Sequence, residues 1–149
     1  MDEHAVRPLR RADEAEWRRL WTGYLEFYGT SVEEAVRART FERLLDPAVP
    51  AMGAFVAASA AGDRPLGLVH MIFHPHCWRI EDVCYLQDLY VAPEARGTGA
   101  GRALIEAVYA EADRRGCPSV YWLTQDFNET ARRLYDRIGR LTPFIKYQR

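Results

Sequence analysis

A chain of 149 residues is long enough to bury one core and too short to call for a second, so residues 1–149 are read as a single domain. Hydrophobic residues at 48% and charged residues at 28%, with both signs interspersed, exclude a disordered chain, and a formal net charge of −1 lacks the basic surface that a nucleic-acid partner would require. No apolar run is long enough to span a bilayer and the first residues carry no secretory apolar segment, which argues against a membrane partner and predicts a cytoplasmic protein.

The first strand candidate is "AVRPLR". In "RADEAEW" carboxylates stand where a helix N-terminus favours them, so a helix should begin near Asp13. Trp17, Leu20, Trp21, Tyr24, Leu25 and Tyr28 recur at helical spacing and give it a broad aromatic face, which Gly29 ends. Ser31 followed by Glu34 reads as a capping box opening a second helix that carries Val32, Val36, Phe41, Leu44 and Leu45 up to Asp46-Pro47. The period then falls to two. "GAFVAASA" and "PLGLVHMIF", separated by the turn signal "AGDRP", predict a hairpin, and "DVCYLQDLYV" is a third strand of this group. A helix with Leu104, Ile105, Val108, Tyr109 and Ala112 on one face follows, ended by Gly116. "SVYWLT" is a further strand. "NETARRLYDRIG" has Asn128 as an N-cap, an apolar stripe of Ala131, Leu134, Tyr135 and Ile138, and a terminal Gly139, and "PFIKYQ" is a last strand candidate. The order predicts an α/β domain with a mixed sheet covered by helices.

Between the third of these strands and its helix lies "RGTGAGR". A glycine-rich turn entering a helix exposes backbone N–H groups at the positive end of the helix dipole, which suits a phosphate. Two phosphate loops are excluded by spacing: the last glycine of G-x-G-x-x-G is missing, and no Gly-Lys-Ser/Thr follows for a Walker A loop. What remains is Arg-x-x-Gly-x-Gly, as Arg96, Gly99 and Gly101. With this pattern the chain resembles the GNAT N-acetyltransferase superfamily. "YLQDLYVAPEARGTGAGRALI" is similar to that family's fourth strand and pyrophosphate loop, "SVYWLT" to its fifth strand, and "NETARRLYDRIG" to its final helix. The segments look most like the subgroup of diamine acetyltransferases and fungal histone or D-amino-acid acetyltransferases.

The resemblance implies the GNAT fold, acetyl-CoA as co-substrate, no metal, and direct acetyl transfer to a primary amine. The acceptor expected from it is a small molecule, a polyamine or an amino acid; a protein lysine or N-terminal acetyltransferase and a non-catalytic CoA-binding module are the alternatives. It places the pyrophosphate on Arg96, Gly97, Thr98, Gly99, Ala100, Gly101 and Arg102, pantetheine along the backbone of Leu89, Tyr90 and Val91, and Asn128 on the pantetheine arm. It also implies a homodimer, for which "PFIKYQR" could pair across a two-fold axis.

An alkyl amine, with a pKa of about 10.4, must lose a proton before it attacks, and the thiolate that leaves, at about 8.5, benefits from an acid. The resemblance puts the Tyr135 hydroxyl at the sulfur as that acid. The base is open. Diamine enzymes carry glutamate where Gln87 stands, and an amide accepts no proton at neutral pH. Strand alternation is expected to point Asp88 to the face opposite Gln87, leaving Gln87 to hold a water, Asp88 to anchor structure or meet substrate, and a histidine as another candidate base. Tyr24 and Tyr28, with Glu26, could wall a pocket for a cationic amine. His74, His76 and Cys77 are the one cluster resembling metal ligands, without a second ligand pair at zinc spacing; Cys77, Cys84 and Cys117 read as reduced thiols.

Overall fold

Alternation along the central strands divides the apolar residues between two faces. In the computed structural model, which describes residues 4–149, five strands form one sheet in the order β1-β2-β3-β4-β5. β1 (His4–Pro8), β2 (Met52–Ser59), β3 (Pro65–His74) and β4 (Val83–Val91) pair antiparallel in sequence, with the predicted β2–β3 hairpin at their centre, and β5 (Val120–Tyr121) runs parallel to β4. Four α-helices cover the sheet: α1 (Glu14–Phe27), α2 (Glu34–Leu45), α3 (Ala100–Arg114) and α4 (Glu129–Ile138).

Val56 and Leu68 face α1 and α2, in a cluster with Trp17, Leu20, Trp21, Leu25, Phe41 and Leu44. Their neighbours Ala57 and Val69 face the other way, against Leu104, Ile105 and Val108 of α3 and the half-buried Leu134, Tyr135 and Ile138 of α4. Each fully buried side chain of this size contributes about 1.5–3 kcal/mol, so both layers are needed to hold the sheet. No described helix is long and apolar enough to cross a membrane.

Three local expectations are corrected. Ser31 and Glu34 form no capping box: α2 starts at Glu34 behind an extended Glu33, and the Glu34 carboxylate is drawn instead to Arg18 of α1 at 2.9 Å. The "PFIKYQ" segment is not a strand, having no strand beside it among the described residues; residues 141–149 are irregular and exposed. The strand expected over "SVYWLT" is reduced to Val120–Tyr121, for a reason that bears on the site. The start of α1 falls where expected, yet the Asp13 carboxylate does not cap it, being held by Arg7 at 2.8 and 2.9 Å and by the Arg10 N–H at 2.8 Å.

Gly139, at the end of α4, has extended backbone (φ −142°) that any residue adopts. It is glycine for space: a Cβ there would lie 2.7 Å from the Trp122 ring, which is wedged between Tyr109 and Tyr135 at centroid distances of 6.3 and 5.5 Å. Gly139→Ala is therefore expected to cost about 1–3 kcal/mol, read as a lower urea midpoint at unchanged slope.

Candidate active site

Beyond β4 the chain makes a short 3-10 turn (Pro93–Ala95), then Arg96, and enters α3 through Gly97 (φ +77°) and Gly99 (φ +87°). Left-handed backbone at these two positions accounts for two of the three glycines, and the space where a Cβ would point is open at both. Gly101 is different: its Cβ would only touch Leu134 at 3.5 Å and Val91 at 3.8 Å, so packing does not demand glycine there. No side chain caps Gly99, and the first-turn N–H groups of Ala100, Gly101 and Arg102 have no intrahelical acceptor. These donors, at the positive end of a 15-residue helix, form a cradle for an anion.

The loop is anchored from behind. The Thr98 hydroxyl donates to the Ala95 carbonyl and lies 2.6 Å from His4 Nε2 of β1. The Arg96 guanidinium stacks over Tyr90 at 5.6 Å and donates to the Val91 carbonyl at 3.2 Å, while Arg102 pairs with Glu106 at 2.9 Å on the exposed face of α3.

A gap leads from this cradle into the sheet. β5 meets β4 at only two positions, Cys84↔Val120 and Tyr85↔Tyr121, after which the strands part. From Leu86 to Val91 β4 keeps its β3 partner and has no strand among the described residues on the other side, so Leu89, Tyr90 and Val91 present a backbone edge that runs to the loop. Tyr135 of α4 packs against the same cluster as Leu89 and Val91, edge-on to Trp122 at 5.5 Å, and burial, followed by the neighbouring Tyr28 phenol, pushes its pKa up to about 12. Asn128 is at the head of the same helix, where its Oδ1 accepts from the Ala131 N–H at 3.5 Å and its Nδ2 donates to Thr124 at 3.3 Å.

The β3–β4 ladder contains the site's main irregularity. Val69 pairs with Leu89 and His70 with Asp88, but Met71 pairs with Leu86, leaving Gln87 as the extra residue of a bulge. Leu86 and Leu89 consequently pack into the same α3-side cluster with two residues between them. The bulge interrupts the alternation between Leu86 and Leu89: Asp88 lies on the α1 face with Tyr90, and Gln87 is exposed.

On that face Asp88 is buried, 7% exposed, against His70 and the aromatic face of α1. Trp17 Nε1–H donates to His70 Nε2 at 2.9 Å, and His70 Nδ1 lies 2.8 Å from Asp88 Oδ2. Trp21 stands edge-on to His70 at 5.7 Å with its own indole N–H unpartnered. Tyr24 faces the same carboxylate; burial first, and then the Asp88 charge, drive its phenol far above the ordinary range. Tyr28, 5.0 Å from Tyr24, is raised by burial while its hydroxyl meets Thr124, so it links α1 to the segment beyond β5 and stands within electrostatic reach of both Asp88 and Tyr135. Tyr85, stacked on Tyr121 at 4.9 Å, completes the wall.

Of the residues expected to meet substrate, Tyr24 and Tyr28 thus come together with Asp88. Glu26 does not: it is exposed and two residues from each, which on a helix turns it away from the face they share. His74 bonds the Tyr121 hydroxyl and the Pro75 carbonyl, both at 2.8 Å, His76 Nδ1 accepts from the Trp78 N–H, and among the described residues no group of three His, Cys, Asp or Glu is placed to hold a metal ion. The Trp17–His70 hydrogen bond was not anticipated, Trp17 having been placed only on the aromatic face of α1. The one sequence signal, a histidine inside an apolar strand, becomes informative only when the bulge sets it opposite Asp88.

Residues 14–139 match the family model described as the acetyltransferase (GNAT) family. Among curated proteins the chain is 38% identical over 148 residues to the D-amino-acid N-acetyltransferase HPA3 of Saccharomyces cerevisiae, covering 99% of this chain and 91% of that one. It is 30% identical over 145 residues to the thialysine N-epsilon-acetyltransferase of Mus musculus, covering 90% and 82%. Among solved structures it shares its fold with the aminoglycoside acetyltransferase AAC(6')-Iy, solved with a CoA-linked bisubstrate analog (TM-score 0.84, 16% identity, 99% and 97% covered). The fold is also that of a ribosomal-protein-alanine N-acetyltransferase from Brucella melitensis (TM-score 0.79, 20% identity, 98% and 97% covered).

The cradle makes a directional prediction. Gly99→Ala should lower stability by about 1–2 kcal/mol for its left-handed backbone and weaken CoA binding by calorimetry at least about tenfold. Gly116→Ala, equally left-handed (φ +73°) and open but at the far end of α3, should show the stability loss with CoA affinity unchanged.

Proposed function

The chain belongs to the acetyltransferase (GNAT) family, and from that premise we propose that it moves the acetyl group of acetyl-CoA directly onto the primary amine of a small molecule, a polyamine or an amino acid, in the cytoplasm. The observation that carries the reading is the unpaired β4 edge from Leu86 to Val91, which leads to the N-terminus of α3, with Tyr135 packed against the same cluster as Leu89 and Val91. In this reading the pyrophosphate rests on the N–H groups between Arg96 and Arg102, pantetheine pairs with the backbone of Leu89, Tyr90 and Val91, and Asn128 holds its arm from the opposite side. The acyl carbonyl then lies at the parting of the strands, where a backbone N–H near Leu89 stabilises the charge that develops on attack. Tyr24 and Tyr28 line the acceptor side. The acceptors in the names of the relatives, D-amino acids and thialysine, are small amines, which supports a small-molecule acceptor over a protein side chain.

Tyr135 has a specific task. With its pKa pushed up to about 12, it is a weaker acid than a thiol at about 8.5, so donation to the thiolate alone is uphill by roughly three and a half powers of ten. Transfer becomes favourable when the phenol, while protonating sulfur, recovers the proton that the nitrogen must shed after attack. Tyr135→Phe should therefore lower kcat at least about a hundredfold with acetyl-CoA KM unchanged. A raised pKa keeps the phenol protonated to high pH, so no fall in kcat from this group is expected below about pH 11; a fall near pH 9 that vanishes in Tyr135→Phe would contradict the assignment. A screen of polyamines, D- and L-amino acids and lysine peptides by thiol release tests the acceptor class, and turnover on peptides alone would reverse it.

We further propose a homodimer. The outer edge of β5 pairs with no described strand, and the final segment carries Leu141, Phe144, Ile145 and Tyr147 at 72–89% exposure, more apolar surface than a solitary chain ordinarily leaves in water. Sedimentation should give twice the chain mass, and truncation after Arg140 should give a monomer.

A further inference from the structure

We propose that Asp88 is the carboxylate that receives the acceptor amine and its proton, and that Trp17 and His70 are positioning residues that aim it. The inference rests on the N-acetyltransferase reading and names the proton acceptor which that reading leaves open.

The hydrogen-bond inventory orders the chain. An indole N–H only donates, so His70 Nε2, 2.9 Å from Trp17 Nε1, is an acceptor without a proton. The proton of the ring is then on Nδ1 and is donated to Asp88 Oδ2 at 2.8 Å. His70 is thereby fixed as a neutral imidazole in one tautomer: a second proton on Nε2 would face the indole N–H donor to donor. Both of its nitrogens are occupied, so His70 cannot itself be the base. His74 is excluded in the same way, with Nδ1–H on the Pro75 carbonyl and Nε2 on the Tyr121 hydroxyl. Gln87 is an exposed amide with no basic lone pair at neutral pH.

Asp88 remains, and its surroundings lack one component. The groups facing it are the Tyr24 and Tyr28 phenols of α1, the neutral His70 of β3 and Tyr85 of β4. Among the described residues no Lys or Arg lies within ion-pair distance of this carboxylate, although it is 7% exposed. A carboxylate buried among neutral donors calls for a cation, and the protonated acceptor amine supplies it. Aromatic rings around the carboxylate favour an alkylammonium for the same reason.

The step balances. The ammonium gives one proton to Asp88, and the freed nitrogen forms the C–N bond to the thioester carbon. The C–S bond breaks with its electron pair on sulfur, the nitrogen's surplus proton passes through Tyr135 to that sulfur, and Asp88 releases its proton to water. The products are the amide, CoA thiol and one proton.

Asp88→Asn, Trp17→Phe and the parent enzyme are to be compared by steady-state kinetics and by ring-nitrogen NMR of 15N-histidine-labelled protein. Asparagine still accepts from His70 Nδ1–H, so the fold is retained while basicity and charge are lost. Its kcat should fall at least about a hundredfold and its amine KM rise, with acetyl-CoA KM within about twofold of the parent. The parent spectrum should show His70 protonated at Nδ1. Trp17→Phe should release Nε2 and shift His70 toward the Nε2–H form, with kcat lowered about ten- to a hundredfold. Retained kcat in Asp88→Asn, or His70 protonated at Nε2 in the parent, overturns the inference while the enzyme's activity stands. A parent enzyme that binds acetyl-CoA but turns over no amine overturns the functional reading, and this inference with it.

Discussion

The parting of β4 from β5 after two paired positions is the constraint on which the site depends. A sheet that stayed closed would satisfy the backbone of Leu89 to Val91 internally and leave nothing for a ligand to pair with. Because β5 is so short, the β4 edge is free from the centre of the sheet to the loop that starts α3. The cost of that open edge is carried by the two layers of core: Trp17, Leu20 and Phe41 on one face and Leu104, Ile105 and Val108 on the other hold β2, β3 and β4 rigid enough for their neighbour to diverge.

The second constraint is the bulge at Gln87. It lies just where the two strands part, and it does two things with one residue. Leu86 and Leu89 stay in the core beneath α3, and Asp88 is turned to the α1 face, where Trp17 and His70 meet it. Bulges recur beside active sites because one inserted residue re-aims a side chain without breaking the sheet. The aromatic stripe of α1 consequently has two roles along its length. Trp17 and Trp21 are core residues that also touch the His70 end of the hydrogen-bonded chain, while Tyr24 and Tyr28 extend beyond the sheet and reach Asp88, Thr124 and Tyr135.

Most of the fold could be read from local pattern. Helical spacing marked all four helices, alternation marked the hairpin, and the glycines after β4 marked an anion site, because the causes of these features lie within a few residues of one another. The misreadings have longer-range causes. Ser31 has no capping role because α2 starts only at Glu34, behind Glu33, and "PFIKYQ" has strand composition but no partner strand among the described residues. Glu26 was grouped with Tyr24 and Tyr28 by proximity in sequence, although helix geometry turns it away from them.

The sequence by itself determined which groups this protein carries: a glycine-rich turn from Arg96 to Arg102 leading into a helix, a tyrosine on the last helix, and a strand that sets Gln87 beside Asp88. Only the tertiary structure decided which groups meet. Which groups Asp88 faces turned on a register shift of one residue between β3 and β4, which sets it opposite His70 and beneath α1. A period-2 pattern read along one strand contains no record of its partner's register, so that choice becomes visible only once both strands are in place.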